Sequence, residues 1–198
     1  MKRENDEYGR NKMKHVKVVK SKRKSISVEV TADAEVIVRA PRWISNAAVV
    51  DFLEKHQKFI EKNLAKMEQR RETLASIPKI TEDELKALAE QAKEVIPQRV
   101  AFYAPLIGVT YHRITIRNQR TRWGSCSTKG NLNFNIALMK VPPQVLDYVV
   151  VHELCHRLEM NHSARFWERV AAIFPEYKIW RKWLKDNGAR IMAEFGGI

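Results

Sequence analysis

An α+β fold is predicted for this 198-residue chain, and three observations predict it. Two stretches alternate apolar and polar residues with the period of a strand: Ser25–Val30 with Val36–Ala40, and a run between Thr110 and Leu138. Segments beginning at Ser45, Thr81, Ser163 and Tyr177 instead repeat apolar residues at helical spacing. Between these, the stretch from Pro142 to Leu158 is apolar on nearly every face, yet it holds two histidines and a glutamate. A helix apolar all round is a buried one. The expected architecture is therefore an antiparallel or mixed sheet against a buried helix, with an N-terminal β-hairpin and further helices.

Composition narrows the function classes. With 44% hydrophobic residues the chain can bury one good core, with room for a smaller lobe. No apolar run approaches the ~20 residues of a membrane span, so no membrane partner is expected. The N-terminus is charged and has no apolar stretch of a signal peptide. Two cysteines, Cys126 and Cys155, are too few for a disulfide framework, which suits a cytoplasmic setting. The net charge of +13 is uneven: residues 1–24 hold ten Lys/Arg against three Asp/Glu, whereas residues 142–198 hold eight against seven. A basic N-terminus makes nucleic acid a candidate partner. With no aromatic residue interleaved among Lys17, Lys20, Lys22, Arg23 and Lys24, the solvated edge strand is the expected reading.

Residues 1–14 are expected to be disordered, and 15–198 to form one domain: strands and scaffold helices over 15–104, a chemical core over 105–198. Ala32-Asp33-Ala34 joins the first two alternating runs as a hairpin, which Pro41 ends. Ser45 caps a helix with an apolar stripe reaching Met67, and His56 is expected to pack in the core beside that stripe. Thr81-x-x-Glu84 is a capping box for the next helix, and Pro97 should kink or break that helix before Tyr103. Leu132, Phe134, Ile136 and Leu138 predict a full strand, with Lys129-Gly130 as its turn. Pro175 ends one late helix, and Asn187-Gly188 is expected to close the last.

The chemistry concentrates at His152, Glu153 and His156, which spell H-E-x-x-H. Residues four apart on a helix lie about 40° apart in rotation and ~6 Å along the axis, so both imidazoles can reach one ion. As a strand the same five residues would set the histidines ~13 Å apart, useless for one metal. Glu153 can then serve as general base toward water activated by zinc. Arg122, with Arg120 beside Trp123-Gly124-Ser125, is a candidate anion binder or oxyanion stabiliser, against the alternative of a tight loop anchored by Trp123. Cys126 is a weak candidate nucleophile, because no orienting group stands out. Cys155, Tyr148 and Tyr177 are expected to pack.

Arg122-Trp123-Gly124-Ser125-Cys126, Asn133-Phe134-Asn135, the run from Tyr148 to His156, Asn161-His162-Ser163 and Phe166-Trp167 together resemble the YgjP-like metallopeptidase family. The resemblance spans about Lys17 to Leu184 and implies a small zincin-like fold, related in layout to SprT-like proteases. It also implies an alternative activity, since the family carries a second label as a metal-dependent UTP pyrophosphatase. A catalytic zinc takes three protein ligands. His162 stands ten residues after His152, a spacing shared with metzincins, although Glu159 replaces their glycine. On a continued helix His162 would lie ~15 Å away, so the chain must turn back, with Asn161 in a left-handed conformation and Ser163 capping a new helix. His162 is the favoured third ligand; Glu168 and Glu176 are the rivals. In zincins an edge strand holds extended substrate, and the resemblance assigns that place to Asn131–Leu138, making Asn133 and Asn135 candidate substrate-binding residues.

The expected function is a zinc metallopeptidase acting on peptide or protein, with His152, His156 and His162 as metal ligands and Glu153 as general base. The alternatives are nucleotide pyrophosphate hydrolysis and a non-catalytic, nucleic-acid-tethered module.

Overall fold

A computed structural model describes residues 16–31 and 33–196. The expectation of disorder over 1–14 lies outside the described residues. The chain divides into two compact units, Met1–Thr73 and Leu74–Ile198.

The first unit holds a three-stranded sheet, β1 (Val16–Ser21), β2 (Ser27–Val30) and β3 (Val36–Pro41), in the order β1-β3-β2. The expected hairpin is β2–β3, antiparallel with Val28 opposite Val38. Its turn uses Ala34 at φ 59°. The lysine-bearing run expected as an edge strand is β1, at the edge of this sheet; its parallel pairing with β3 was not anticipated. Val36, Val38 and Ala40 project inward onto Val49 and Leu53 of α1 (Asn46–Lys55). Ser45 caps α1 by accepting from the Ala48 N–H at 3.1 Å. The expected single helix to Met67 is two, because the chain breaks at His56 before α2 (Gln57–Ala75). His56 is not a core residue: it is exposed, stacks on Phe52, and its Nδ1 lies 2.8 Å from the Phe52 carbonyl.

The second unit opens with α3 (Glu82–Ile107), started by the Thr81/Glu84 capping box. Pro97 neither ends nor interrupts it; α3 stops at Gly108, whose φ of 76° supplies a left-handed cap. A second sheet follows: β4 (Arg113–Arg117), β5 (Gly124–Cys126) and β6 (Asn131–Asn135), in the order β4-β6-β5. The predicted strand to Leu138 ends at Asn135, whose side chain accepts from the Ala137 N–H and starts a 3-10 turn over Ile136–Lys140. Local capping thus overrides the alternation that continues through Ile136 and Leu138.

Next comes α4 (Pro143–Cys155), the buried helix, packed against α3, β5, α5 (Ala164–Ile173) and α6 (Tyr177–Glu194). Nine of its side chains, from Val145 to Cys155, are buried. Leu132, Phe134, Val150, Val151, Leu154 and Phe166 meet in one core at no exposure. Burying each large side chain of this kind contributes roughly 1.5–3 kcal/mol. Arg99 of α3 clamps α4 with two bonds to Asp147, Nε–Oδ1 at 2.6 Å and Nη2–Oδ2 at 2.8 Å. α6 runs straight through Asn187-Gly188, contrary to expectation. Gly188 serves packing there: a Cβ on it would meet the Trp123 ring at 3.1 Å. No helix among the described residues is long and apolar enough to cross a membrane.

Candidate metal centre

His152 lies in the last turn of α4 and His156 is its C-cap. The helix stops because the N–H groups of Arg157, Leu158 and Glu159 bond back to the carbonyls of Leu154 and Cys155, and the chain turns. The left-handed Asn161 expected here does not occur: among the described residues only Ala34 and glycines have positive φ. Instead the Asn161 carbonyl accepts from the Ser163 N–H at 2.8 Å, and the Ser163 hydroxyl caps α5 through the Phe166 N–H.

This turn brings His162 back over α4. Its Nε2 lies 3.0 Å from the Nε2 of His152, and one ligand atom from each of His152, His156 and His162 falls within 4.8 Å of the others. Glu168 and Glu176 are exposed and do not belong to that group. The Glu159 carbonyl sits 3.0 Å from His156 Nδ1, which holds the proton on Nδ1 and leaves Nε2 its lone pair. Aromatic side chains wall the three rings: Phe166 stacks on His156 at 4.5 Å, Trp167 on His162 at 5.6 Å, and Tyr177 on Trp167 at 5.4 Å. The Arg181 guanidinium lies 4.2 Å over the Trp167 ring.

Charge follows burial. Burial first, then the neighbouring His156 and His162, pushes His152 down to about 3, and burial lowers His156 as well. Both shifts favour the neutral imidazole, the form that binds cations. Two ring nitrogens meeting at 3.0 Å with a third imidazole beside them form a donor set that fits a divalent metal of borderline softness. Glu153, 6% exposed, has its carboxyl raised by burial to about 8, against the pull of Arg122.

Glu153 can occupy this position because its neighbour has no side chain. A Cβ on Gly124 of β5 would meet Glu153 Oε1 at 2.7 Å and Cγ at 2.8 Å. Sequence reasoning gave Gly124 no role of its own, although a glycine inside a strand is the available signal for a close approach. Arg181 left no such signal, since its place depends on where α6 packs.

The cleft is lined by the three histidines, Glu153, Arg122, β5 and Met160. Arg122 is exposed at its rim. Asn135 is elsewhere: it is fully buried, and its Nδ2 donates to the carbonyls of Gln119 at 2.6 Å and Arg122 at 2.8 Å. It holds the Arg122 loop rather than facing a substrate. Asn133 is half-buried and donates to the hydroxyl of Ser125, its cross-strand partner, at 3.1 Å. The strand assigned to substrate is also corrected. β6 is paired on both sides, in parallel to β4 and antiparallel to β5, so it offers no free edge. The strand beside the histidines is β5, an edge strand of its sheet.

No curated protein sequence matches the chain. Solved structures similar to it include two metallopeptidase zymogens. The metallopeptidase zymogen of Pyrococcus abyssi abylysin is 21% identical, with a TM-score of 0.42 over 46% of this chain and 94% of its own. The metallopeptidase zymogen of Methanocaldococcus jannaschii jannalysin is 19% identical, with a TM-score of 0.43 over 48% and 97%. The profile of the YgjP-like metallopeptidase domain matches residues 24–84 and 79–187, most of the chain, and the protein belongs to that family.

Proposed function

We propose that the protein is a zinc-dependent peptidase in which His152, His156 and His162 hold the metal and Glu153 is the general base. The observation that carries this reading is the convergence of three imidazoles beside a buried carboxylate. Bound zinc supplies Lewis acidity, polarising a carbonyl and acidifying water. Glu153 takes the proton of the attacking water on its carboxylate and passes it to the departing amine nitrogen. Positive charge from the metal and from Arg122 favours the ionised Glu153 needed for the first of these transfers.

Arg122, at the rim, binds an anionic group of the substrate or the developing oxyanion. β5 holds the chain to be cut. Ser125 faces Asn133, with flanking bonds from Asn135 N–H to Trp123 O and from Ser127 N–H to Asn131 O. By the alternation of an antiparallel ladder, the backbone groups of Gly124 and Cys126 then point away from β6, toward the cleft side, where an extended peptide can pair with them. A ligand group with three imidazoles and no carboxylate favours zinc over the oxygen-seeking Mg²⁺ and Mn²⁺ that nucleotide pyrophosphate hydrolysis would use.

Elemental analysis of the purified protein tests the assignment. Near-stoichiometric zinc in the wild type and in Glu153→Gln, lost in His162→Ala, is the expected result. Zinc retained in His162→Ala would return the third ligand to Glu168 or Glu176, and zinc absent throughout would overturn the reading.

A further inference from the structure

In the first unit the structure gathers a surface that the linear sequence disperses. β1 and β3 run parallel, so their C-terminal ends lie together: Ser21 pairs with Pro41, and its carbonyl accepts from the Arg42 N–H at 3.1 Å. The loop carrying Lys22, Arg23 and Lys24 thus leaves β1 beside the turn Arg42-Trp43-Ile44. Lys20 ties the two together, its ammonium donating to the Ile44 carbonyl at 3.0 Å and to Asn46 Oδ1 at 3.2 Å. Trp43 stands out of this turn with 78% of its surface exposed. Residues 16–28 and 40–50 hold Lys17, Lys20, Lys22, Arg23, Lys24 and Arg42, and no Asp or Glu.

A bare indole among cations with no acid is the combination that grips a single strand of nucleic acid, where cations follow the phosphates and the ring stacks on a base. Duplex is a poorer fit, because stacking on a side chain needs a base already out of its stack. An anionic membrane is poorer too. Surface-seeking segments bury several apolar anchors from one face. Here Ile26 and Ile44 are turned into the core of the unit, leaving Trp43 alone. The aromatic residue missing from the linear run of lysines is supplied by the fold, from the far end of β3.

We propose that Trp43, with Lys20, Lys22, Lys24 and Arg42, forms a binding site for single-stranded nucleic acid. The site is independent of the metal centre and of the peptidase reading. Fluorescence anisotropy of a short labelled oligothymidylate with the full-length protein tests it. Trp43→Ala is expected to weaken binding by about fivefold to a hundredfold, whereas Trp43→Phe keeps most of it. Replacing the exposed Lys22 and Lys24 together by alanine should flatten the slope of log affinity against log salt by about 1.4. Trp43 is exposed, and far-ultraviolet circular dichroism checks that each variant is folded. Failure to bind at low salt overturns the proposal. So does binding that Trp43→Ala leaves unchanged, or that heparin matches equally in wild type and variant, since either reveals mere polyanion attraction. Binding to phosphatidylserine vesicles without binding to the oligonucleotide would assign the patch to a membrane surface instead.

Discussion

Gly124 and Glu153 share a space that has no room for a methyl group: a Cβ at position 124 would lie 2.7 Å from Oε1, 2.8 Å from Cγ and 3.0 Å from Cδ of the glutamate. The clash involves the stem as well as the tip, and Glu153 projects from a helix packed on several sides. It therefore cannot be relieved by rotating a flexible end. Gly124→Ala is expected to displace the carboxylate and lower kcat about a hundredfold, the scale of an ångström of misplacement, while zinc content stays at the wild-type level. Peptide hydrolysis measured beside elemental analysis checks this, and wild-type turnover in Gly124→Ala would remove any catalytic role from the close approach.

Glu153→Gln keeps the size of the side chain and removes its basicity. Loss of general-base catalysis typically lowers rate by about 10² to 10⁴. That drop in kcat, with metal retained, is the expected signature. Because Gly124→Ala acts through the same group, adding it to Glu153→Gln should bring little further loss.

Asn135→Ala is predicted to act on stability. It removes a donor to the Gln119 and Arg122 carbonyls and the acceptor for the Ala137 N–H at a site with no exposure. Buried groups left unpaired cost about 1–3 kcal/mol, to be read from denaturant midpoints. Asn133→Ala breaks one half-buried bond to Ser125, and a loss of about 1 kcal/mol or less is expected. Equal losses at the two positions would contradict the roles assigned here.

The contrast between these asparagines marks how far the sequence could be read. Alternation places Asn133 and Asn135 on one side of a strand, and both look alike there. Only the docking of the 117–123 loop over Asn135 and the early end of β6 distinguish them, and neither is local information. His152, Glu153 and His156 were legible because helical spacing alone decides which side chains share a face. The capping residues Ser45, Thr81 and Ser163 were legible for the same reason, each acting within three residues. The helix stops expected at Pro97 and Asn187-Gly188 failed where tertiary packing outweighs local preference. The pairing of β1 and the neighbourhood of Trp43 depend on a parallel register across about twenty residues, which the local run Val16-Lys17-Val18-Val19-Lys20 does not specify.

The start of α3 offers a prediction in acid. Thr81 N–H donates to Glu84 Oε2 at 2.8 Å, its hydroxyl donates to the same oxygen at 3.1 Å, and the Glu84 N–H returns a bond to that hydroxyl at 3.2 Å. The backbone bond from Thr81, then its hydroxyl, holds the Glu84 carboxyl below its ordinary value of 4.5. A carboxyl whose folded value is depressed stabilises the fold above the unfolded value and loses that contribution as pH falls through the folded one. Glu84→Gln keeps an acceptor for the Thr81 N–H but cannot titrate. The stability difference between wild type and Glu84→Gln should therefore be constant at neutral pH and shrink below pH 4.5. Thr81→Ala should cost about 1 kcal/mol at neutral pH by removing the cap itself. Denaturant midpoints across the acid range check both, and a wild-type to Glu84→Gln difference that did not change with pH would show that hydrogen bonding, not charge, is what the box contributes to α3 and so to the helix it clamps through Arg99 and Asp147.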